Sequence, residues 1–143
     1  MTVLQIVNAL GGRKALQTDV RTAEDLHERI LQGLPYRAFE AMTIHYGLDA
    51  PTVIRVLHVA SRTLARRKRQ QRFQAEESDR LARVARTAAL AEEVLGNSEK
   101  AGRWLQKPNR ALAGAIPLEQ LTTEVGARQV EDVLKRIAHG VFS

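Results

Sequence analysis

A chain of 143 residues with 44% hydrophobic residues is long enough for one compact domain, or for two small domains that share a core. The chain has no cysteine, which excludes disulfides, thiolate metal sites and cysteine nucleophiles and suits a reducing cytoplasm. Its formal net charge of +6 favours an anionic partner, of which nucleic acid is the most common.

The first 21 residues show no sustained helical period, and Gly11-Gly12 interrupts the mildly apolar stretch 3–10. This stretch has neither a basic leader nor a clear small-residue cleavage site, so we predict no signal peptide. No apolar run in the chain approaches the roughly 20 residues that a membrane span requires. We therefore expect residues 1–21 to form a loosely ordered arm of a cytoplasmic protein that has no membrane partner.

The next segment begins with two predicted helices. Thr22, followed by acidic residues, is a typical N-cap, and Gly33 is a typical C-terminal stop for the first of these helices. The second helix is predicted from about Tyr36 to Tyr46 and ends at Gly47.

Two short helices follow, separated by a break of about three residues. Asp49 can cap the first of them, and Ser61 is expected to cap the second after the break at residues 58–60. This arrangement fits a helix-turn-helix unit, although the break lacks the glycine that is often found in such turns.

The helix after Ser61 is rich in arginine and lysine. If Leu64 faces the core, steps of about 100° per residue place Arg62, Arg66 and Arg69 on the opposite, solvent face. Arg67 then lies on the flank of the helix. The predicted DNA-binding residues are Ser61, Arg62, Thr63, Arg66, Arg67 and Arg69. Arginines on such a helix can pair with guanine edges in the major groove, but a solvated charged face is the alternative interpretation.

The C-terminal half is also predicted to be helical. A long amphipathic helix covers residues 78–95, with a polar stripe of arginines whose default interpretation is a solvated face, and Gly96 ends it. Asn97 or Ser98 is expected to cap a short helix that carries Trp104, which we expect in the core. A last helix ends at Gly140. The fold class that follows is all-α, with an N-terminal helix-turn-helix domain and a small helical C-terminal domain.

Several motifs in this half occur in an order that is typical of one family. They are Ser78-Asp79-Arg80-Leu81, residues 104–109 (Trp-Leu-Gln-Lys-Pro-Asn), Leu112-Ala113-Gly114, Pro117-Leu118, residues 123–127 (Thr-Glu-Val-Gly-Ala) and Ile137-Ala138-His139-Gly140. They resemble the toxin-binding domain of Xre/ParS-type antitoxins, and residues 61–67 resemble the helix-turn-helix of the same family. The sequence departs from the family pattern at Gln74-Ala75, where a Ser or Thr cap is expected, and at Ala113, which replaces a frequent glycine.

The resemblance implies a homodimeric antitoxin that represses its own operon by binding promoter DNA. It also implies a partner, a RES-domain toxin that resembles ADP-ribosyltransferases and degrades NAD, which the antitoxin neutralises by occluding the active site. The implied domains are residues 22–73 for DNA binding and residues 74–143 for toxin binding.

The candidate toxin-binding residues lie at the end of the chain. They are Lys135, Arg136, His139, Gly140, Val141, Phe142 and Ser143. An apolar tail with a free carboxylate can enter a neighbour's cleft, and the alternative is that Phe142 packs back on its own helix.

The sequence offers little support for catalysis. The histidines lie in separate segments without a metal-binding spacing, so we expect no enzyme activity, no cofactor and no metal. One alternative to the antitoxin is a plain repressor whose C-terminal half only dimerises or senses a ligand. The other is a pure toxin-binding protein whose helix-turn-helix serves as a dimerisation scaffold.

Overall fold

The computed structural model describes residues 2–140, which form helices joined by turns, with no strand among them. The α-helices are α1 (Val3–Ala9), α2 (Gly12–Leu16), α3 (Ala23–Gln32), α4 (Tyr36–Tyr46), α5 (Ala50–Val56), α6 (Ser61–Gln70), α7 (Ala75–Leu95), α8 (Ser98–Leu105) and α9 (Glu124–Ala138). Two 3-10 helices, Arg110–Leu112 and Pro117–Thr122, lie between α8 and α9. The predicted all-α fold is confirmed. Across residues 2–140, no helix has the length and apolar character needed to cross a membrane.

Helix starts in this fold follow from capping side chains that the sequence marks. At the start of α3, the Thr22 hydroxyl accepts a hydrogen bond from the Asp25 N–H at 3.0 Å, and the Asp25 carboxylate accepts from the Thr22 N–H at 3.1 Å. Asp49 accepts from the Thr52 N–H at the start of α5, and Asn97 caps α8. The predicted caps Thr22 and Asp49 are confirmed, and of the two candidates Asn97 and Ser98 the cap is Asn97.

The N-terminal segment is ordered, and the prediction of a loosely ordered arm is wrong. α1 begins in a capping box, in which the Thr2 N–H donates to the Gln5 side chain at 2.7 Å and the Gln5 N–H donates to the Thr2 hydroxyl at 3.4 Å. Leu10 and Leu16 are fully buried, and α1 packs against α7. Gly11, at a φ of 94°, forms the turn between α1 and α2, and both helices remain packed on the core on either side of the glycine pair.

The central helix of the fold is α7. Helices α1, α3, α8 and α9 pack against it, and the N-terminal and C-terminal halves share one hydrophobic core around it. Its fully buried side chains are Ser78, Leu81, Val84, Ala85, Thr87, Ala88 and Ala91. The helix begins at Ala75 rather than at Ser78, because the Glu77 carboxylate accepts a hydrogen bond from the Gln74 N–H at 2.9 Å in place of the expected Ser or Thr cap.

Two backbone hydrogen bonds join the α6–α7 connection to the α3–α4 connection. The Phe73 N–H donates to the Leu34 carbonyl at 2.9 Å, and the Tyr36 N–H donates to the Gln71 carbonyl at 3.1 Å. A β-carbon at Gly33 would overlap the carbonyl oxygen of Phe73, so this approach requires glycine. The predicted boundary between residues 73 and 74 falls inside this packed region and stays a prediction.

Candidate functional sites

Helices α5 and α6 are the two helices of the predicted helix-turn-helix unit. The turn between them contains no glycine, and His58 adopts the left-handed conformation there, with a φ of 59°. Val59 is buried, and its N–H donates to the Ile54 carbonyl at 3.2 Å. The prediction that Ser61 caps α6 is wrong, since Ala60 occupies the N-cap position without a side-chain hydrogen bond and Ser61 is the first helical residue.

One side of α6 presents cationic side chains to solvent. The exposed arginines on this side are Arg62, Arg66 and Arg69. Helical geometry places them within an arc of about 60°, opposite Leu64, which is partly buried against the core. Ser61 is exposed and Thr63 is half-buried at the N-terminal end of the helix. Because α6 contains no acidic residue, this arginine face can approach phosphates and guanine edges without repulsion from carboxylates.

Arg67 lies on the other side of α6, and the prediction that it contacts DNA is wrong. The residue is only 4% exposed, since its position three residues after Leu64 turns it towards the protein interior. Its Nε donates to Oε1 of Glu77 at 2.7 Å, and its Nη2 donates to Oε2 of Glu77 at 3.2 Å. A guanidinium held in this way is not available to a phosphate or a base.

The candidate partner-binding residues within the described part of the chain lie together at the C-terminal end of α9. Lys135, Arg136, His139 and Gly140 are all exposed. Helical geometry puts the first three on one side of the helix. The remaining candidates, Val141–Ser143, lie outside the described residues.

A groove of about 430 Å³ lies beside this cluster, between α9 and the 3-10 helix Arg110–Leu112. Gln129, Asp132 and Arg136 line it from α9. Gln129 and Asp132 are not among the predicted site residues, although they precede Arg136 by two turns and one turn on the same helix face. Val125, on the same face, is 70% exposed, so the accessible surface runs along the whole of α9.

Two family models match the chain: the antitoxin Xre-like helix-turn-helix domain at residues 25–86, and the antitoxin Xre/MbcA/ParS C-terminal toxin-binding domain at residues 90–140. The chain is similar to the antitoxin Xre of Pseudomonas putida KT2440, with 40% identity over 117 residues that cover 81% of this chain and 72% of the relative. It is 32% identical to the antitoxin Xre of Yersinia enterocolitica, with 82% and 81% of the two chains covered, and 31% identical to that of Photorhabdus laumondii, with 78% and 77% covered. The chain belongs to the Xre antitoxin family.

Both candidate surfaces of this Xre-family antitoxin lie in the matched segments, with α6 in the helix-turn-helix domain and α9 in the toxin-binding domain. The helix-turn-helix match runs to residue 86, about half-way along α7. The first half of α7, whose Glu77 contacts α6, therefore lies in the helix-turn-helix match, whereas the C-terminal match begins at residue 90.

In this Xre-family antitoxin a polar network joins α7 to α9. Arg86 donates from Nε to Glu131 at 2.7 Å and from Nη2 to Glu124 at 3.0 Å, and the Thr87 hydroxyl donates to Glu131 at 3.1 Å. Burial alone would raise the pKa of Glu124, but hydrogen bonds and the positive charge of Arg86 hold it below its ordinary value. The network therefore fixes the N-terminal part of α9, while the C-terminal end of the helix stays accessible.

Proposed function

We propose that this Xre-family antitoxin is a non-enzymatic protein with two binding activities, one for DNA and one for a protein toxin. The observation that carries the proposal is the presence of one accessible surface in each family-matched domain. The arginine face of α6 suits an anionic duplex, and the exposed side of α9 suits a protein partner. We propose that it acts as a homodimer in the cytoplasm, where the two copies of α6 contact two operator half-sites.

The DNA-binding proposal rests on the chemistry of the arginine face. Arg62, Arg66 and Arg69 are exposed and are separated by three or four positions, so they can contact one groove together. Ser61 and Thr63 lie at the N-terminal end of the helix, where short polar side chains and backbone N–H groups can reach phosphates. The proposed target is the promoter of the protein's own operon, which would make the protein an autorepressor.

Fluorescence anisotropy with a labelled duplex from that promoter tests this proposal at several salt concentrations. The logarithm of the affinity should fall linearly with the logarithm of the salt concentration, with a slope of about −0.9 per phosphate contact. The double variant Arg62→Ala/Arg66→Ala should lose affinity and have a shallower slope. The control Arg103→Ala/Arg110→Ala removes two exposed arginines from the other domain and should bind as the wild type does. Equal losses in both variants would mean that binding follows net charge rather than α6.

The toxin-binding proposal rests on α9. We propose that its exposed C-terminal end, with Lys135, Arg136 and His139, contacts a RES-domain toxin that degrades NAD and resembles ADP-ribosyltransferases. Gly140 and Val141–Ser143 are proposed to continue this contact and to occlude the active site of the toxin. Exposed cations at a helix end can form charge-assisted hydrogen bonds with carboxylates of the partner, which supports this choice of surface.

Co-expression with the toxin encoded beside the antitoxin gene tests this proposal. The full chain should restore growth and co-purify with the toxin, while Lys135→Ala/Arg136→Ala and a chain ending at Gly140 should do so less well. If the chain ending at Gly140 rescues as well as the full chain while Lys135→Ala/Arg136→Ala does not, the occluding surface is on α9 rather than in the last three residues. If no form of the chain binds or rescues, the toxin-binding proposal fails, and a plain repressor is the better description.

A further inference from the structure

A buried ion pair holds α6 on α7, and we call α6 the recognition helix after its proposed role in DNA binding. The side chains of Arg67 and Glu77 are 5% and 11% exposed, and two parallel N–H···O bonds of 2.7 and 3.2 Å join them. Oε1 of Glu77 also accepts the Gln74 N–H at 2.9 Å, and Nη1 of Arg67 donates to the side chain of Gln70 at 3.4 Å. The pair therefore joins the middle of α6 to the first turn of α7.

Stability alone is a poor explanation for such a pair. Removing two charges from water is costly, and apolar side chains of similar volume often stabilise a protein as well or better. A bidentate arginine–carboxylate contact instead restricts the orientation of the two helices, because both hydrogen bonds are satisfied only in one relative orientation. Since α6 carries the arginine face, the pair fixes the angle at which that face is presented.

A second contact from α7 holds the other end of the recognition helix. Nη1 of Arg80 donates to the carbonyl of Leu57 at 3.2 Å, in the turn that precedes α6. The next residue, His58, has the left-handed conformation, which costs free energy in a residue other than glycine and needs support from its surroundings. Glu77 and Arg80 are three residues apart on α7, so one turn of that helix contacts both the turn before α6 and its middle.

We propose that Arg67 and Glu77 are positioning residues, which set the orientation of α6 on α7 and thereby the discrimination between operator and other DNA. This inference rests on the proposed DNA-binding function. Base contacts tolerate errors of only about 0.5 Å and 10–20°, whereas attraction to phosphates acts at longer range and in many orientations. Loss of the pair should therefore reduce operator affinity far more than non-specific affinity.

The test uses the full chain and two duplexes. One is the sequence that the wild type enriches from a random-sequence library, and the other is a scrambled duplex of the same composition. In Arg67→Met/Glu77→Met, the affinity for the enriched duplex should fall at least about tenfold, while that for the scrambled duplex should change less than about threefold. The control, Arg103→Met/Glu99→Met, removes an exposed pair on α8 and should change neither affinity. Retained discrimination in the Met pair variant would overturn the inference.

Two further measurements keep the result decisive. If the Met pair variant does not melt cooperatively, Glu77→Gln replaces it, with the same expected loss of discrimination and the same overturning result. If the wild type enriches no sequence, the proposed DNA function fails, and amide hydrogen exchange on α6 of the Met pair variant decides the orientation role. Faster exchange confined to α6 and its turn would support that role, and unchanged protection would overturn it.

Discussion

Nε of Arg86 donates a 2.7 Å hydrogen bond to Oε2 of Glu131, and this bond joins the central helix α7 to α9. Glu131 is only 8% exposed, and the fully buried Thr87 donates to the same carboxylate oxygen at 3.1 Å. The position of α9, and with it the proposed toxin-binding surface, therefore depends on a buried polar contact as well as on apolar packing.

Glu131→Gln should weaken this contact, because it leaves the Arg86 guanidinium with less compensating charge. We expect the free energy of unfolding in urea to fall by about 1.5–3 kcal/mol, the usual range for a hydrogen bond to a charged group. The control is Arg128→Gln, which removes an exposed bond to Glu124 and should cost less than about 1 kcal/mol. Equal losses in the two variants would contradict the ranking of the two contacts.

The pKa of Glu124 predicts how the network responds to acid. Because its folded-state pKa lies below the ordinary value of 4.5, ionised Glu124 stabilises the fold above that pH. The stabilisation is lost as the pH falls through the lower, folded-state pKa. Urea unfolding of the wild type and of Glu124→Gln should therefore differ at pH 7, and the difference should shrink at about pH 3. A difference that grows on acidification would contradict the direction of the pKa shift.

Gly102 is a helix glycine that packing requires. A β-carbon there would overlap the carbonyl oxygen of Tyr46 at the end of α4. At an open helix position, Gly→Ala stabilises by up to about 1 kcal/mol, but Gly102→Ala should destabilise by about 1–3 kcal/mol, because α8 must move away from α4. Urea unfolding measures this change, and a more stable Gly102→Ala variant would show that the two helices do not approach this closely.

Ala113, in contrast, is an alanine at a position that favours glycine, since its φ of 56° lies in the left-handed region. Ala113→Gly relieves about 1–2 kcal/mol of strain and costs about 0.5–1 kcal/mol in backbone freedom, so we expect a small rise in melting temperature. Ala111→Gly, in the 3-10 helix beside it, offers no such relief and should lower the melting temperature. Similar decreases in both variants would contradict the account of strain at Ala113.

The features that the sequence predicts well are local ones. Thr22, Asp49 and Asn97 cap helices through residues three positions away, so a short window of sequence contains both partners. Helix α1 is not among the predicted elements, because the glycine pair interrupts the apolar stretch at residues 3–10, although the Thr2–Gln5 capping box marks its start.

The features that the sequence did not predict depend on distant partners. Helical periodicity placed Arg67 on the flank of α6, but it could not show that Glu77 lies opposite it on another helix. The requirement for glycine at residue 102 depends on Tyr46, which is 56 positions earlier in the chain. The left-handed His58 carries no sequence signal, because glycine is the usual residue at such a position.

If α6 and α9 perform separate binding functions, substitutions on one helix should leave the activity of the other intact in cells. Promoter repression and rescue from the co-expressed toxin are measured together for Arg62→Ala/Arg66→Ala and for Lys135→Ala/Arg136→Ala. We expect the α6 variant to lose repression and keep rescue, and the α9 variant to lose rescue and keep repression. Loss of both activities in each stably folded variant, or loss of neither, would contradict the separation of the two functions.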